Sequence, residues 1–426
     1  MKNMLFLGAL SFLAPVFLTS CSDDDTMDND LGNESSSTEF CENLSGWTVT
    51  PRNSSSIPLN LTTKELEVVG ANTQLSTKLL AKVRTSNENT MVAPYSLQLA
   101  LAMINNGTSP DVQKEVNDFI GLQGMDMQEI NNTYSKISAS LNSELDTAAC
   151  FETQNSMWIQ KDEKIRLDFY NVIKDSYKAS VADLDFTKPE ASQTIDDWAN
   201  MATRGLIPSL NLKLNNNTKV VIANACYFKA KWTKNFKDSL LGTFTQADGT
   251  IDNVSFFHNG GTYSYAETDS YQALRLPYGN QTFCMDVILP TKNLSTENLM
   301  PSIDWNNINF TPEKVKVNMP KFTAKNRFDL RQTLIDMGLN SLFEKYLVRM
   351  GNDLILSELQ QDTYVKVDQD GTEAAGITIG IHDTVIISPD PSGHKIFDAD
   401  HPFLFAIREA KTGLILFMGE VVKAEL

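Results

Sequence analysis

Apolar positions recur along this chain with two different periods. From Thr62 to Gly205 the helical period dominates. Thr62 and Glu65 have capping-box spacing, and Val68, Val69, Leu75, Leu79, Leu80 and Val83 follow at helical intervals. A second helix is predicted after Pro94, through Leu97, Leu101 and Ile104 to Gly107. Ser109-Pro110 starts a third, with serine as cap and proline at the first helical position. Ile195, Trp198, Ala199 and Ala202 share one face of a further helix that ends at Gly205. Later the pattern changes. Lys219–Phe228, Leu274–Leu276, Phe283–Leu289 and Val315–Met319 are β-branched or aromatic and bounded by turn residues, so they read as strands. Phe403–Ile407 and Leu414–Val422 close the chain, with Lys411-Thr412-Gly413 as the turn of a hairpin. Helices first and strands later predict an α+β fold, not alternating βαβ units.

The first residues stand outside that pattern. Lys2 precedes an almost wholly apolar run, Met4 to Phe17, too short to span a bilayer, so residues 1–20 read as a signal peptide. Leu18-Thr19-Ser20-Cys21 resembles a bacterial lipobox, which implies a lipid on Cys21; the alternative is an ordinary signal peptide with a chance cysteine. Ser22-Asp23-Asp24-Asp25 resembles the acidic tag that sends some bacterial lipoproteins to the cell surface. The implied location is the outer membrane, exposed at the surface, with its periplasmic face as the alternative. Residues 21–60 are rich in Ser, Asn, Asp and Thr and bury too little apolar area to offset chain entropy. They are expected to form a flexible tether in which Trp47 and Val49 dock at most locally. Residues 61–426 are then the folded domain, and nothing in them reads as a transmembrane segment.

Composition narrows the chemistry. The 426 residues carry 36 Lys and Arg against 53 Asp and Glu, a formal charge of −17, with no basic block, which argues against nucleic acid. After Cys21 the cysteines are Cys41, Cys150, Cys226 and Cys284, far apart and without C-x-x-C. They form neither a disulfide framework nor a zinc spacing, although a Cys41–Cys150 pair stays open. Cys226 and Cys284 sit in apolar runs and read as small core residues. The four histidines, His258, His382, His394 and His401, match no metalloprotease motif, and no nucleophile elbow or phosphate loop occurs. The three nearest the C-terminus read as solvated loop residues. No enzyme, cofactor or metal is expected.

The segment from Asp368 to Phe405 carries the identification. Gly371-Thr372-Glu373-Ala374-Ala375-Gly376-Ile377-Thr378 combines small residues with a β-prone stretch, and Ser388-Pro389-Asp390-Pro391-Ser392-Gly393 has the chemistry of an exposed loop. A long loop between core strands is often functional; the plain alternative is a variable surface hairpin. Together with Asn224–Trp232, Thr203–Ile207, Leu276-Pro277-Tyr278, Met319-Pro320-Lys321-Phe322 and Pro402-Phe403-Leu404-Phe405, in this order, the chain from about Thr62 resembles a serpin. The resemblance implies a metastable fold with a gapped central sheet and an exposed reactive loop. A protease attacks the loop and forms an acyl-enzyme. The cleaved loop inserts as a new strand and traps the protease covalently. The implied protein is a single-use, monomeric inhibitor. Its alternative is a non-inhibitory serpin-like surface binding protein.

Read as a strand, the hinge puts Thr372, Ala374, Gly376, Thr378 and Gly380 on one face, small and uncharged throughout. Glu373, Ala375, Ile377, Ile379 and Ile381 fall on the other. Ile377 departs from the small residue usual in inhibitory serpins, but on the face where bulk is easier to place. Family spacing from Gly371 puts the reactive bond at Val385–Ile386, whereas spacing back from Pro402 points near Pro391, so this loop carries extra residues. Val385 suits the small apolar primary pocket of an elastase-like serine protease, with cysteine proteases as a second class. Ser96, Asn224 and Trp232 match positions where the family's sheet opens, while Ala93 and Gln361 replace a serine and a histidine common there.

Overall fold

In the computed structural model, which describes residues 39–41, 44, 46–372 and 393–425, the Thr62/Glu65 box is formed. The Thr62 amide donates to Glu65 Oε2 at 2.7 Å and the Glu65 amide to Thr62 Oγ1 at 3.3 Å. Helix α1 (Leu66–Val83) follows, then α2 (Pro94–Asn105), α3 (Pro110–Phe119), α4 (Met127–Leu141), α5 (Leu167–Tyr177) and α6 (Pro189–Ala202). Ser109 flanks α3 but turns its hydroxyl to Asp111 rather than capping a backbone amide. Helix α6 stops where Gly205 takes φ +92° and its amide returns to the Asn200 carbonyl at 2.8 Å.

The strands are β1 (Thr90–Val92), β2 (Ala149–Gln160), β3 (Ser180–Leu184), β4 (Val220–Lys231), β5 (Lys237–Thr245), β6 (Ile251–Glu267), β7 (Tyr271–Pro277), β8 (Phe283–Pro290), β9 (Thr311–Pro320), β10 (Phe322–Asp329), β11 (Leu356–Asp368), β12 (Gly371–Thr372), β13 (Lys395–Asp398), β14 (Phe403–Glu409) and β15 (Ile415–Val421). One sheet runs β1-β15-β14-β8-β7-β6-β9-β13, with β5 on β6; the other runs β10-β11-β12-β4-β2-β3. Helices and strands form an α+β architecture, but not as two blocks. Strands β1, β2 and β3 lie among the helices, and β2 is a polar strand without the expected apolar signature.

The main core lies between the sheets and against α1 and α2; Phe228, Tyr278, Phe283 and Phe417 meet there. A second cluster lies on the other side of the six-stranded sheet. There α6 places Trp198 edge-on to Trp158 of β2 and covers Val221, Ala223 and Ala225 of β4.

The expected tether does not extend to Asn60. From Glu39 the described chain is docked. Gly46 bridges Val181 of β3, and the Thr50 backbone exchanges hydrogen bonds of 3.0 and 2.8 Å with the Gln154 amide. Arg52 donates to the carbonyls of Ser143, Asp146 and Ala149. Backbone pairing and amide side chains hold this polar segment, so low hydrophobicity did not leave it free. The signal segment, Cys21 and the tether up to Thr38 lie outside the described residues, as do Glu373, Ala374, Ala375, Gly376, Thr378, Val385 and Ile386.

Candidate functional site: a split in the six-stranded sheet

Strands β4 and β11 run parallel and pair directly only at one end, from Leu356↔Val220 to Gln360↔Ala223. At the other end the two-residue strand β12 sits between them, antiparallel to both. Thr372 lies opposite Val367 of β11 and Ala230 of β4, and Gly371 opposite Asp368 and Lys231. Between these ends, Gln361–Lys366 and Asn224–Lys229 face each other with no described strand between them. Among the described residues, the sheet is zipped at the bottom, wedged at the top and split in the middle.

The wedge is specified residue by residue. Gly371 has φ +147°, and a Cβ there would stand 2.0 Å from the Ala230 carbonyl oxygen, so only glycine lets the chain enter between the strands. Thr372 is 1% exposed and its hydroxyl shares a 2.5 Å hydrogen bond with Tyr278, so this side chain points into the core. Burial pushes the Tyr278 hydroxyl well above its ordinary pKa and keeps it protonated. Tyr278 stacks on Trp232 at 4.4 Å between ring centroids, and Trp232 Nε1 donates to the Asp368 carbonyl at 2.8 Å. Burial also raises the pKa of the Asp368 carboxyl, which accepts from the Asp370 amide at 2.9 Å.

The base of the split is polar. Ser96, in the first turn of α2, donates to Asn224 Oδ1, and Asn224 Nδ2 donates to Asn155 Oδ1 of β2 at 2.6 Å. Across the split, Gln361 accepts from the Ala93 amide at 2.9 Å and donates to the Ala93 carbonyl at 3.0 Å. Each lip is thus tied by one side-chain amide to the start of α2. The substitution of serine and histidine by Ala93 and Gln361 leaves no gap, because the glutamine bonds the backbone where no hydroxyl is available.

The sequence grouped Ser96, Asn224 and Trp232 as one region. The structure brings Ser96 and Asn224 together and leaves Trp232 at the wedge, eight residues on and just past the end of β4, about 26 Å away at ~3.3 Å per residue. Sequence reasoning missed Asn155, Tyr278 and Asp368 as site residues. A run of amides and hydroxyls flanked by the apolar Ala149–Phe151 and Met157–Ile159 was the available signal for Asn155. His401 is not a solvated loop residue: it is tied to Asp400 at 2.7 Å and to the Pro290 carbonyl at 2.9 Å. Cys41, Cys150, Cys226 and Cys284 are all free thiols. Among the described residues no cluster of His, Cys, Asp and Glu is arranged to hold a metal, and no helix is long and apolar enough to cross a membrane.

The sequence and the fold both have relatives among known proteins. The family model described as Serpin (serine protease inhibitor) matches residues 70–424. An uncharacterised serpin-like protein of Thermococcus kodakarensis is 31% identical over 370 residues, 84% of this chain and 86% of that protein. The human leukocyte elastase inhibitor is 26% identical over 381 residues, covering 83% of this chain and 98% of its own. The fold matches the native-state crystal structure of the thermophilic serpin tengpin with TM-score 0.76 at 22% identity, over 87% of this chain and 97% of that one. Members of the matched family are mostly protease inhibitors rather than enzymes. Matched by the family model over most of its length and by a relative at 31% identity, this chain belongs to the serpin family.

Proposed function

We propose that this protein is an irreversible suicide-substrate inhibitor of proteases that works by inserting its cleaved loop into the split. The observation that carries the reading is the register of β12. Continued past Thr372 in that register, the chain fills the split with six residues, Glu373–Thr378, before any existing β4–β11 pair must separate. The core-facing positions would then be Ala374 between Phe228 and Val365, Gly376 between Cys226 and Thr363, and Thr378 between Asn224 and Gln361. A small residue, Ala374, falls beside the Phe228 ring, and a hydroxyl falls between two amides. No charge meets the core, where an unpaired one would be very costly. Each ladder hydrogen bond adds roughly 0.5–1.5 kcal/mol net while ordering a residue costs roughly 1–2 kcal/mol, so this side-chain fit decides whether insertion outruns deacylation.

The bait is Val385, with cleavage before Ile386, and the target is an elastase-like serine protease, with cysteine proteases as a second class. The small apolar side chain supports this, as does the likeness to a protein named for inhibiting leukocyte elastase. The protein acts as a monomer held by lipid on Cys21 at the outer membrane, facing the cell exterior, as the lipobox-like Leu18–Cys21 suggests. Incubation with an elastase should give a complex stable to denaturant and a new N-terminus at Ile386. Thr372→Arg should be cleaved at the same bond without trapping; an unchanged yield of complex would reject the insertion argument. Cys21→Ser should move the protein from the membrane to the soluble fraction.

A further inference from the structure

Thr372 fixes where the next residue of an entering strand must go. Its hydroxyl turns to Tyr278 in the core, so the side chain that follows turns to the outer face of the six-stranded sheet. The registers of β12 place that position opposite Lys229 of β4 on one side and Lys366 of β11 on the other. Both lysines point outward, because their neighbours Phe228, Ala230, Val365 and Val367 are buried in the main core. Lys229 is exposed and Lys366 half-buried. Adjacent strands lie about 5 Å apart, so each lysine stands one strand spacing from the position between them.

The surroundings leave that position positive. Next in the row are Cys150 of β2 and Thr323 of β10. Burial pushes the Cys150 thiol up to about 11, so it carries no charge at neutral pH. Lys231 and Lys325 add positive charge on the same face, one row to either side. Among the described residues, the carboxylates of the neighbouring rows are held elsewhere: Glu152 by Arg204, Asp368 by the Asp370 amide and Asp370 by Gln369. Asp362, a further row down, is held by Arg327 at 2.7 Å. The outward positions that follow are different in kind: residue 375 falls between Tyr227 and Tyr364, and residue 377 between Ala225 and Asp362.

Resting on the reading above that the cleaved loop enters the split, we propose that Lys229 and Lys366 form a receptor for one carboxylate, that of Glu373, which positions the entering strand at its first step. Glu373 itself lies outside the described residues; the sequence places it directly after Thr372. An uncharged residue in that place would stand between two ammonium groups and neutralise neither. A carboxylate meets both, as an opposite-charge neighbour across two strands at once. The receptor also reads register. A slip of one residue would turn the carboxylate into the core, and a slip of two would bring it between the tyrosines or beside Asp368. The face is open to solvent, so salt weakens the attraction.

The test adds synthetic peptides of residues 372–381 to the full chain and follows their entry as protection of the β4 and β11 amides from hydrogen exchange. At low salt the parent peptide should enter about fivefold faster than the Glu373→Gln peptide. The difference should shrink as salt rises from about 0.05 M to about 0.5 M. A peptide with Glu373→Gln and Ala375→Glu keeps the parent's net charge but presents its carboxylate to the tyrosines, and it should enter no faster than the Glu373→Gln peptide. Lys229→Glu/Lys366→Glu in the full chain should reverse the preference, taking a Glu373→Lys peptide faster than the parent peptide. Equal entry of the parent and Glu373→Gln peptides would overturn the receptor and leave the insertion reading standing. Parent-like entry of the shifted carboxylate, or an unreversed preference in the double variant, would do the same. Entry of no peptide would reject both.

Discussion

Strands β8, β14 and β15 of the nine-stranded sheet are buried along their whole length and are largely apolar. Strand β2 of the six-stranded sheet is nearly as deeply buried, yet its middle reads Glu152-Thr153-Gln154-Asn155-Ser156. The Asp286, Arg408 and Glu420 charges buried on these three strands are locked. Asp286 holds Arg275 at 2.7 and 2.8 Å and Arg408 at 3.1 Å, and Glu420 holds Arg84 at 2.7 and 3.0 Å. The polar groups of the second sheet bond across to α2, the docked N-terminal segment and Tyr177 of α5. An apolar, fully paired sheet has one good packing. A sheet whose middle is hydroxyls and amides can exchange partners when its strands part, since each group carries donors and acceptors that a new neighbour can meet. On the proposed insertion reading, the first sheet stays and the second reopens.

The comparison breaks most visibly if the locked sheet is unlocked. Asp286→Ala would leave two guanidinium groups without their shared carboxylate, one of them on Arg408, which is 3% exposed. The expected loss is about 3–5 kcal/mol, read from the urea midpoint. Gly371→Ala should cost less, about 1–3 kcal/mol from the forced backbone conformation. It should act locally, because the Cβ is driven against the Ala230 carbonyl and β12 is expelled. Hydrogen exchange should then quicken at the Val367 and Thr372 amides, while β14 and β15 keep their protection. Equal quickening in both sheets would remove the distinction between them.

The difference between the sheets also explains what was legible beforehand. Strands β7, β8, β9, β14 and β15 of the nine-stranded sheet announced themselves through runs such as Phe283–Leu289 and Phe403–Ile407, as did β4 of the six-stranded sheet, whereas β1, β5, β6 and β13 did not. Helices α1, α2 and α3 showed through caps and periodicity at Thr62, Pro94 and Pro110, while α4 and α5 did not show. Strands β2 and β11 did not show, because burial of their polar residues depends on partners distant in sequence, such as Gln361 with Ala93 and Gln154 with Thr50. The stretch after Glu39 docks in the same way, through partners distant in sequence such as Gln154 and Val181. At the site, the hinge glycine and threonine were legible as motif residues. Their wedge role was not, since it depends on the Ala230 carbonyl and on Tyr278 from the opposite sheet.

Gln361→Leu sharpens the contrast at the base of the split. It would leave the Ala93 N–H and C=O unpaired and buried, at a cost of about 1–3 kcal/mol. If this tie helps to hold the sheet closed, the variant should do more than lose stability. A second heating scan after mild warming should show a larger fraction that no longer melts, the sign of a strand already inserted. A lowered midpoint without that fraction would make Gln361 a packing residue only.

The smallest effect is expected at the wedge. Burial raises the pKa of the Asp368 carboxyl, so around that value the folded chain holds more protons than the unfolded one. A group of this kind contributes stability when protonated and loses it as pH rises through its folded-state pKa. Asp368→Asn keeps an acceptor for the Asp370 amide and removes the charge. The variant should therefore melt slightly higher than the parent at neutral pH. The gap should close as pH falls through the raised carboxyl pKa, where both side chains become neutral. A gap that widens in acid would mean that the carboxylate, not its burial, stabilises the wedge, and β12 would then be held by charge rather than by the fit of Gly371 and Thr372.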